Sequence, residues 1–385
     1  MAHALPPAGW NYTISMPQTL TARRLLTPQG TIDHPVITVE DGLIRSIESA
    51  STSSDDSTLA ATFFDIHTHG AASHDVMEGT PEALAAVSRF LATRGVGQYL
   101  ATTVTAPVDK TLRSLEGIAN AIESPVRGAA TPIGIHLEGP FISHAKRGVH
   151  PLADILPPSV ELFDRFQEAA RGHIRLMTIA PETPGALELI EHAAGRGVRL
   201  SLGHSNATQP ETLAGIAAGA TSATHTYNAM RALNHREPGI LGTVLDDERL
   251  FAELICDGVH VVPELIRLWL KAKGADKAIL VTDSMSAAGM PEGTYRLGTF
   301  EVTVADGRAL ANGTLAGSVL TMDRAVANLQ RFTGASLATA VGLASTNPAA
   351  LLDVDLALVP GKAANFNRFD AAGELRATIL FGQVV

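Results

Sequence analysis

Two histidines, His67 and His69, stand one residue apart at the end of a short apolar run, just before Gly70. In a β-strand the side chains of residues i and i+2 project to the same face, so the two imidazoles would point the same way. Two imidazoles on one face are a common beginning of a zinc or iron site. An isolated pair of this kind is more simply two polar residues at a strand–loop junction. Its meaning therefore depends on further ligands elsewhere in the chain.

More histidines and acids follow the ends of other predicted strands. They are Glu138, His204, His225, His260 and Asp283. A lone histidine is more often a satisfied polar residue than a ligand, but seven such residues at equivalent places favour a metal site. Glu138, His204 and His225 would supply one carboxylate and two imidazoles, which leaves a coordination position for water. His67 and His69 could hold a second ion, with Glu138 close enough to bridge the two.

Asp283 follows the last predicted barrel strand, within Thr282-Asp283-Ser284. It is well placed as a general base that takes a proton from the attacking water and returns it to the leaving group. The alternative roles for Asp283 are those of a further metal ligand and of a helix N-cap. No lysine occurs between Lys146 and Lys271, which excludes the carbamylated lysine that bridges two metals in many hydrolases of this barrel type. Glu138 must then bridge the ions if two bind.

A second group of residues suits an anionic substrate. Its members are His150, Asn228, Ala229, Arg236 and His260. A guanidinium binds a phosphate through two parallel hydrogen bonds, so Arg236 is a candidate phosphate ligand, with His260 alongside. An ion pair with the adjacent Glu237, or an ordinary surface position, is an equally good interpretation of Arg236. Residues 313–318 are small, which allows close approach of a ligand or simply a tight turn.

The elements that would position these residues alternate between short apolar runs and helical patterns. The strand candidates are 63–67, 97–104, 133–137, 174–179, 198–202, 222–226, 251–256 and 278–282. The helical patterns between them are 81–94, 110–122, 160–170, 186–195, 210–218 and 263–273. Eight consecutive βα units predict a parallel (β/α)8 TIM barrel, in which catalytic residues follow the strands. A doubly wound sheet is the alternative, but no Gly-x-Gly-x-x-Gly follows the first strand.

Both ends of the chain have β-like patterns outside this barrel. We predict a flexible extension over 1–20, a small β-sandwich domain from 21–62 and 360–385, and the barrel over 63–359. The C-terminal tail would pair with the N-terminal strands. Residues 291–310 predict β-hairpins inserted before the last two helices, 322–332 and 337–344.

Composition limits the classes of function. The chain has 385 residues, of which 45% are hydrophobic, and a net charge of 29 − 39 = −10. An acidic chain argues against nucleic acid and anionic membranes as partners, although a local basic pocket is compatible with it. The single cysteine, Cys256, excludes a disulfide framework and suits a reducing compartment. The N-terminal segment lacks the features of a signal peptide, so we expect a cytoplasmic protein.

The motifs also occur in the order found in one enzyme family. They are Asp65–Gly70, His136–Phe141, Lys146–His150, Gly203–Thr208, Thr224–Met230, Arg236–Gly239, Asp257–His260, Val281–Asp283 and Leu315–Ser318. With these segments, the chain resembles the N-acetylglucosamine-6-phosphate deacetylases of the amidohydrolase superfamily from about residue 20 to about residue 360. The strings His-Leu-Glu-Gly-Pro, Gly-His-Ser and Thr-His-x-Tyr-Asn-Ala-Met in series are highly specific.

The resemblance implies a homodimer with a divalent metal held by Glu138, His204 and His225. Zinc is the first expectation, with Fe²⁺, Mn²⁺, Co²⁺ and Cd²⁺ as alternatives, and His67 and His69 could hold a second ion. Asp283 would be the acid and base, and His150 would contact the acetyl carbonyl. The substrate contacts implied are Val149, His150, Asn228, Ala229, Arg236, His260, Leu315, Ala316 and Gly317. In such dimers the arginine equivalent to Arg236 can reach the partner's site.

The expected reaction is hydrolysis of the acetamide of N-acetylglucosamine 6-phosphate to acetate and glucosamine 6-phosphate, in amino-sugar recycling. One alternative is another amidohydrolase reaction, on an unphosphorylated amino sugar, an N-acyl amino acid or a cyclic amide. The other is a sugar-phosphate-binding regulator without activity, against which the full ligand set and Asp283 argue.

Overall fold

The structure, a computed structural model, describes residues 17–385. Its first strands are β1 (Gln18–Thr21), β2 (Arg24–Thr27), β3 (Gly30–Asp33), β4 (Pro35–Glu40), β5 (Leu43–Ser49) and β6 (Thr58–Ala61). Strands β1, β4 and β5 form one antiparallel sheet, while β2, β3 and β6 belong to another. The hairpin between β4 and β5 turns at Asp41 and Gly42, both with positive φ.

The flexible extension predicted over 1–20 overlaps the first strand, β1. Residues 1–16 lie outside the described residues, but Gln18 already begins β1 and pairs with Val39 of β4. The Gln18 Nε2 donates to the Gly382 carbonyl at 2.6 Å. Backbone pairing with β4 and the contact with Gly382 make residues 18–21 a strand, which their side chains alone do not indicate.

The barrel is an eight-stranded parallel sheet. Its strands are β7 (Phe63–Thr68), then, after a short hairpin of β8 (Gly70–Ala71) and β9 (His74–Asp75), β10 (Val96–Thr103), β11 (Thr131–Glu138), β12 (Ile174–Ile179), β13 (Arg199–Leu202), β14 (Ala220–Ala223), β15 (Phe251–Ile255) and β16 (Ala278–Val281). Each strand pairs with the next barrel strand along the chain. The Asp283 N–H donates to the His67 carbonyl at 2.8 Å and closes the ring between β16 and β7. The predicted TIM barrel is confirmed.

Ten α-helices are found within residues 17–385. They are α1 (Pro81–Thr93), α2 (Val108–Glu123), α3 (Val160–Ala169), α4 (Ala186–Gly195), α5 (Gln209–Ala218), α6 (Gly239–Asp246), α7 (Pro263–Lys277), α8 (Met322–Thr333), α9 (Leu337–Ala344) and α10 (Thr346–Leu351). Side-chain caps begin several of them, as where Thr80 accepts from the Ala83 N–H ahead of α1. Gly274 interrupts α7 with a φ of 66°, close to the predicted end of that helix. Helices α6 and α10 were not predicted.

Burial explains why the barrel strands are nearly continuous apolar runs. Strands of a parallel barrel face the packed interior on one side and the helices on the other. Every residue of β7 and β16 is buried, and Trp269 of α7 and Tyr99 of β10 fill the surrounding layer. The polar residues that follow these strands are therefore fixed by a rigid core.

An antiparallel sheet lies between the last barrel strand and α8. It consists of β17 (Gly293–Leu297), β18 (Phe300–Ala305), β19 (Arg308–Ala311) and β20 (Thr314–Leu315). Its apolar face packs on Met77, Val104 and Met285 beside the rim of the barrel. The turn after β17 is held on both sides, because the Gly298 N–H donates to Asp75 at 2.6 Å and the Gly298 carbonyl accepts from Lys110 at 2.9 Å. The predicted hairpin insert is confirmed.

The chain returns to its N-terminal sheets at the end. Strands β21 (Phe366–Phe369), β22 (Leu375–Leu380) and β23 (Gln383–Val384) extend the sheet of β6, β2 and β3, with β21 antiparallel to β6. Ile37 from one sheet and Leu25 and Phe366 from the other share one hydrophobic cluster. Both chain ends thus build the small β-sandwich, while its residue boundaries stay a prediction. Across residues 17–385, no helix has the length and apolar character needed to cross a membrane.

Candidate metal centre and active site

Glu138 lies at the centre of the histidine cluster. It is the last residue of β11 and is 2% exposed. Its Oε1 atom is 3.3 Å from the His204 Nε2 and 3.1 Å from the His225 Nε2. Its Oε2 atom is 3.1 Å from the His69 Nε2 and 3.5 Å from the His67 Nε2. One carboxylate therefore presents one oxygen to each of two histidine pairs.

Hydrogen bonds at Nδ1 orient the rings of His69 and His204 so that their Nε2 atoms face Glu138. The Nδ1 of His69 lies 3.0 Å from the Thr102 carbonyl, and the Nδ1 of His204 lies 2.9 Å from the Lys146 carbonyl. A carbonyl only accepts, so each Nδ1 carries a proton, and Nε2 is the ring nitrogen left to bind a metal ion.

The two groups fit divalent metal ions. The ligand atoms of His67, His69 and Glu138 lie within 4.8 Å of one another, and so do those of Glu138, His204 and His225. The Nε2 atoms of His204 and His225 are 3.1 Å apart, a contact that a shared cation stabilises. Two imidazoles and one carboxylate are a typical donor set of catalytic zinc. The residues therefore fit one ion in each group.

His67 has a different partner from the other histidines. Its Nδ1 lies 3.1 Å from the Oε2 of Glu253, a fully buried acid in β15. Its Nε2 has no hydrogen-bond partner among the described residues and lies 3.5 Å from both Glu138 and Asp283. The His67 side chain thus joins Glu253 to the centre of the cluster.

Asp283 is beside the first histidine pair. Its Oδ1 atom is 3.1 Å from the His69 Nε2 and 3.5 Å from the His67 Nε2. Burial raises the pKa of the Asp283 carboxyl, but the charge of His67 and the hydrogen bond of His69 outweigh burial and lower this pKa to about 2. Asp283 is therefore ionised at neutral pH and able to accept a proton.

The carboxylates of Glu138 and Asp283 create a negative electrostatic potential at the histidine rings. Burial disfavours the charged form of His67, but Glu138 and Asp283 more than compensate and raise its pKa well above the ordinary value. His69 has the same balance, in which Asp283 and Glu138 overcome burial and raise its pKa to about 9. The field that favours a proton on these rings equally favours a divalent cation.

Three residues of the histidine–carboxylate cluster have an uncommon backbone conformation. His204, His225 and Asp283 follow β13, β14 and β16 with φ values of 46°, 29° and 48°. The left-handed region is costly for residues with a Cβ and concentrates at functional sites. Since β14 ends at Ala223, the predicted strand 222–226 was wrong at its end, and His225 belongs to the turn that follows.

His150 approaches the same centre from the loop after β11. Its Nε2 lies 4.0 Å from the Glu138 Oε2, and its Nδ1 lies 2.7 Å from the Thr105 hydroxyl. Burial, together with the nearby His204, holds the pKa of His150 well below the ordinary value, so the ring is neutral. When Thr105 donates to Nδ1, the Nε2 carries the proton and can donate to a substrate oxygen.

His260 is cationic over a wider pH range than a free histidine. Its Nδ1 lies 2.6 Å from Asp257, which also accepts from the backbone N–H groups of Val259 and His260. Burial opposes the charge on His260, but the hydrogen bond and charge of Asp257 prevail and raise its pKa. The His260 ring also hydrogen-bonds to the backbone of Gly317, so two predicted substrate segments meet here.

The remaining predicted substrate contacts are only partly brought together. Asn228 donates from Nδ2 to the His225 carbonyl at 3.3 Å, and the Ala229 carbonyl accepts from the Ser205 N–H at 3.0 Å, which places both residues beside the metal ligands. Val149 packs against the hydrophobic cluster of the insert, to which the buried Ala316 also belongs, and Leu315 ends β20.

Arg236 stands apart from this assembly. It is exposed, and its backbone N–H donates to the Asn234 Oδ1 at 2.9 Å. Glu237, its alternative partner in the sequence, contacts Arg231 at 3.1 Å. Within residues 17–385, no contact found here joins the Arg236 side chain to the histidine cluster.

Sequence reasoning missed three residues that support the site. Glu253 and Thr105 contact His67 and His150, and the His136 ring meets the His67 ring edge to face, with ring centroids 4.6 Å apart. A charged residue in the middle of an apolar strand is the signal that could have identified Glu253. His136 lies within a recognised motif, but its Nε2 contacts the Thr178 hydroxyl at 2.8 Å rather than a candidate ligand group.

Known proteins are similar in sequence to this chain along nearly its whole length. Residues 58–385 match the Amidohydrolase family. The chain is 38% identical over 376 residues to the N-acetylgalactosamine-6-phosphate deacetylase of Escherichia coli O157:H7, covering 96% of this chain and 99% of that protein. It is 39% identical over 303 residues to the N-acetylglucosamine-6-phosphate deacetylase of Bacillus subtilis (strain 168), covering 78% and 76% of the two chains.

Solved structures show the same architecture. The N-acetylglucosamine-6-phosphate deacetylase of Mycobacterium smegmatis, in complex with N-acetylglucosamine 6-phosphate, is similar with a TM-score of 0.91 and 31% identity, over 96% of this chain and 99% of that chain. The Thermotoga maritima enzyme gives a TM-score of 0.87 and 34% identity, over 95% and 99%. The chain therefore belongs to the amidohydrolase family, and within it to the N-acetylglucosamine-6-phosphate deacetylase group that its motifs indicated.

Proposed function

We propose that this enzyme hydrolyses the acetamide of N-acetylglucosamine 6-phosphate to acetate and glucosamine 6-phosphate. The observation that carries the proposal is the arrangement around Glu138, which faces two histidine pairs while Asp283 lies 3.1 Å from the His69 Nε2. This arrangement combines a metal-binding donor set with an ionised carboxylate at the same buried centre. A metal-dependent amidase needs both of these parts.

Glu138, His204 and His225 would hold the metal. A divalent ion bound there would polarise the acetyl carbonyl and lower the pKa of the attacking water. We infer zinc as the ion, because imidazole and carboxylate ligands suit it, with Fe²⁺, Mn²⁺, Co²⁺ and Cd²⁺ as alternatives.

The residues around the ion would divide the chemistry between them. Asp283 would accept the proton of the attacking water and pass it to the amine as the C–N bond breaks. His150 would donate from Nε2 to the carbonyl oxygen as negative charge develops there. His260, kept cationic by Asp257, would bind the phosphate together with Asn228 and the Ala229 backbone.

We also propose that the enzyme is a cytoplasmic homodimer. Its single cysteine, Cys256, is buried and free, as suits a reducing compartment. Arg236 is a strong phosphate ligand by type, yet it lies on the exposed loop after β14, outside its own chain's histidine cluster. The residue type of Arg236 and its distance from its own chain's cluster are both explained if Arg236 reaches the phosphate site of the partner subunit.

The relatives support a second candidate substrate, N-acetylgalactosamine 6-phosphate. The protein named for that activity covers 96% of this chain at 38% identity. The two substrates differ only at one hydroxyl of the sugar, so the same centre would act on either acetamide. The choice between them is one of specificity rather than mechanism.

An acetate-release assay with added Zn²⁺ tests the proposal. We expect turnover of N-acetylglucosamine 6-phosphate and far weaker turnover of N-acetylglucosamine, which lacks the phosphate. The N-acetylgalactosamine 6-phosphate reaction, run in parallel, assigns the preferred sugar through kcat/KM. The Asp283→Asn variant should lose about 10²- to 10⁴-fold in kcat. Substantial turnover by that variant, or equal use of the unphosphorylated sugar, would overturn the assignment.

A further inference from the structure

Glu253 is a buried acid that the proposed reaction does not use. It lies in β15 between Ala252 and Leu254 and has no exposed surface. Its Oε2 atom lies 3.1 Å from the His67 Nδ1 and 3.3 Å from the backbone nitrogen of His225. It therefore contacts one residue from each of the two candidate metal groups.

The strand itself gives no reason for an acid at this position. Burying a carboxylate costs free energy unless hydrogen bonds or charges compensate for it. The Oε2 of Glu253 has the two partners named above, while its Oε1 has no hydrogen-bond partner among residues 17–385. The neighbouring residues of β15 are apolar and pack in the barrel core. Its compensation must come from the charges of the cluster that it touches.

The contact with His67 fixes the form of that ring. A carboxylate accepts, so a proton lies on Nδ1, and Nε2 faces Glu138 and Asp283, 3.5 Å from each. The Nδ1 atoms of His69 and His204 contact neutral carbonyls instead. A carboxylate partner raises the basicity of an imidazole ligand more than a carbonyl does and typically makes a large contribution to metal affinity.

We propose that Glu253 is a positioning residue for a second divalent ion held by His67, His69 and Glu138. It would act by orienting His67 and strengthening its Nε2 as a ligand. Its hydrogen bond to the His225 backbone would fix the position of the second ion relative to the ion at Glu138, His204 and His225. The inference rests on the metal centre of the proposed function.

Metal binding by the purified chain tests this role without any assay of activity. Metal-free protein is titrated with Zn²⁺ against a competing chelator, and bound metal is counted by elemental analysis. We expect two ions per wild-type chain. The Glu253→Gln variant should keep the first ion and bind the second about 10- to 100-fold more weakly. His67→Asn, which removes the ligand itself, should behave in the same way.

Asp75→Asn is the matched control. Asp75 is also a buried acid that accepts from two backbone N–H groups, those of Met77 and Gly298, but none of its hydrogen bonds among the described residues involves a candidate ligand. Its variant should still bind two ions, which separates the loss of a buried carboxylate from the loss of the His67 partner. If Glu253→Gln does not fold, Glu253→Asp keeps the charge but shortens the reach, and it should weaken the second ion with the first retained.

Two results would overturn the inference: a wild-type chain that saturates with one ion, or a folded Glu253 variant that binds both ions with wild-type affinity. Acetate release by the wild type is measured separately. If the wild type deacetylates the sugar phosphate but Glu253→Gln keeps both ions, only the inference fails. If the ion count follows the proposal but no sugar phosphate is hydrolysed, only the proposed function fails.

Discussion

Asp257 determines the charge of His260. The His260 Nδ1 lies 2.6 Å from the Asp257 carboxylate, both residues are half-buried, and Asp257 raises the pKa of His260 against the effect of burial. A histidine with a raised pKa keeps its positive charge to a higher pH and loses it as the pH rises through that pKa. Affinity for an anionic phosphate should follow the same titration.

The Asp257→Asn variant should bind the phosphorylated substrate weakly at neutral pH. Without the carboxylate, burial, the largest influence on the pKa of His260, is opposed only by Asp283 and the Gly317 backbone, so this pKa falls. The rise of KM with pH should then begin at a lower pH than in the wild type. We expect KM at about pH 7.5 to increase about 10- to 100-fold, with kcat little changed. This increase corresponds to the loss of one hydrogen bond between charged groups. Steady-state kinetics from about pH 6 to about pH 9 provide the measurement. An unshifted KM profile would exclude this role.

Thr105 should act on catalysis through His150. Its hydroxyl lies 2.7 Å from the Nδ1 of His150, and donation from this hydroxyl leaves the proton on Nε2, where a substrate oxygen can use it. The Thr105→Val variant keeps the shape but loses the donor, so kcat should fall about 10- to 100-fold with a smaller change in KM.

The two residues of this pair should not have additive effects. A double variant of Thr105→Val with His150→Asn is expected to match His150→Asn alone, since Thr105 acts only through that ring. Additive losses in kcat would show that Thr105 has another role.

Among the secondary structure elements, the insert β17–β20 is tied to the catalytic base. Directly after β20, the Ser318 N–H donates to the Asp283 carbonyl at 2.7 Å and the Ser318 hydroxyl donates to the Thr282 carbonyl at 2.6 Å. Between β20 and these bonds lies Gly317, with a φ of 60°. A Cβ added there would lie 3.1 Å from the Asp283 carbonyl oxygen. The insert thus supports the backbone of Asp283.

Gly317→Ala should lower activity more than stability alone explains. The positive φ costs about 1–2 kcal/mol with any Cβ, and the close contact would in addition displace Asp283. We expect kcat to fall at least about 10-fold. Gly313→Ala is the control, because Gly313 has a φ of 78° but open space around its Cβ position. It should show a similar loss of thermal stability with nearly unchanged kcat; equal kcat losses in the two variants would contradict the role of the insert.

The elements differ in how far their sequences determine them. The eight strands were predicted within about three residues, because buried parallel strands are short apolar runs separated by amphipathic helices. Helix α6 was missed since it opens with Gly239 and contains Gly242, both unfavourable for a helix, and tertiary packing overrides that preference. Glu253 was missed because its role depends on His67, which is distant in sequence and adjacent only once the barrel forms.

At the scale of the whole molecule, the proposed dimer predicts complementation between two defective subunits. Asp283→Asn lacks the base, and Arg236→Ala lacks the arginine that we propose to act in the partner's site. A mixed dimer has one site with both defects and one site with neither. Random reassociation of equal amounts should therefore restore about a quarter of wild-type activity at low substrate concentration.

The complementation experiment has its own controls. Each variant alone should be nearly inactive under these conditions, and mixing without subunit exchange should restore nothing. Activity that stays at the mean of the two separate variants after exchange would place Arg236 in the site of its own chain.

The hydrogen bond between the Asp283 N–H and the His67 carbonyl joins the last barrel strand to the first. Glu138 ends β11, and His204 and His225 follow β13 and β14, whereas Asp283 reaches them only when β16 meets β7. Contacts between distant parts of a chain form late, because they require closure of a long loop. During synthesis on the ribosome, a chain that has not yet emerged beyond β15 would carry the metal ligands without the base. Such a nascent chain could acquire its metal while it is still unable to hydrolyse an amide.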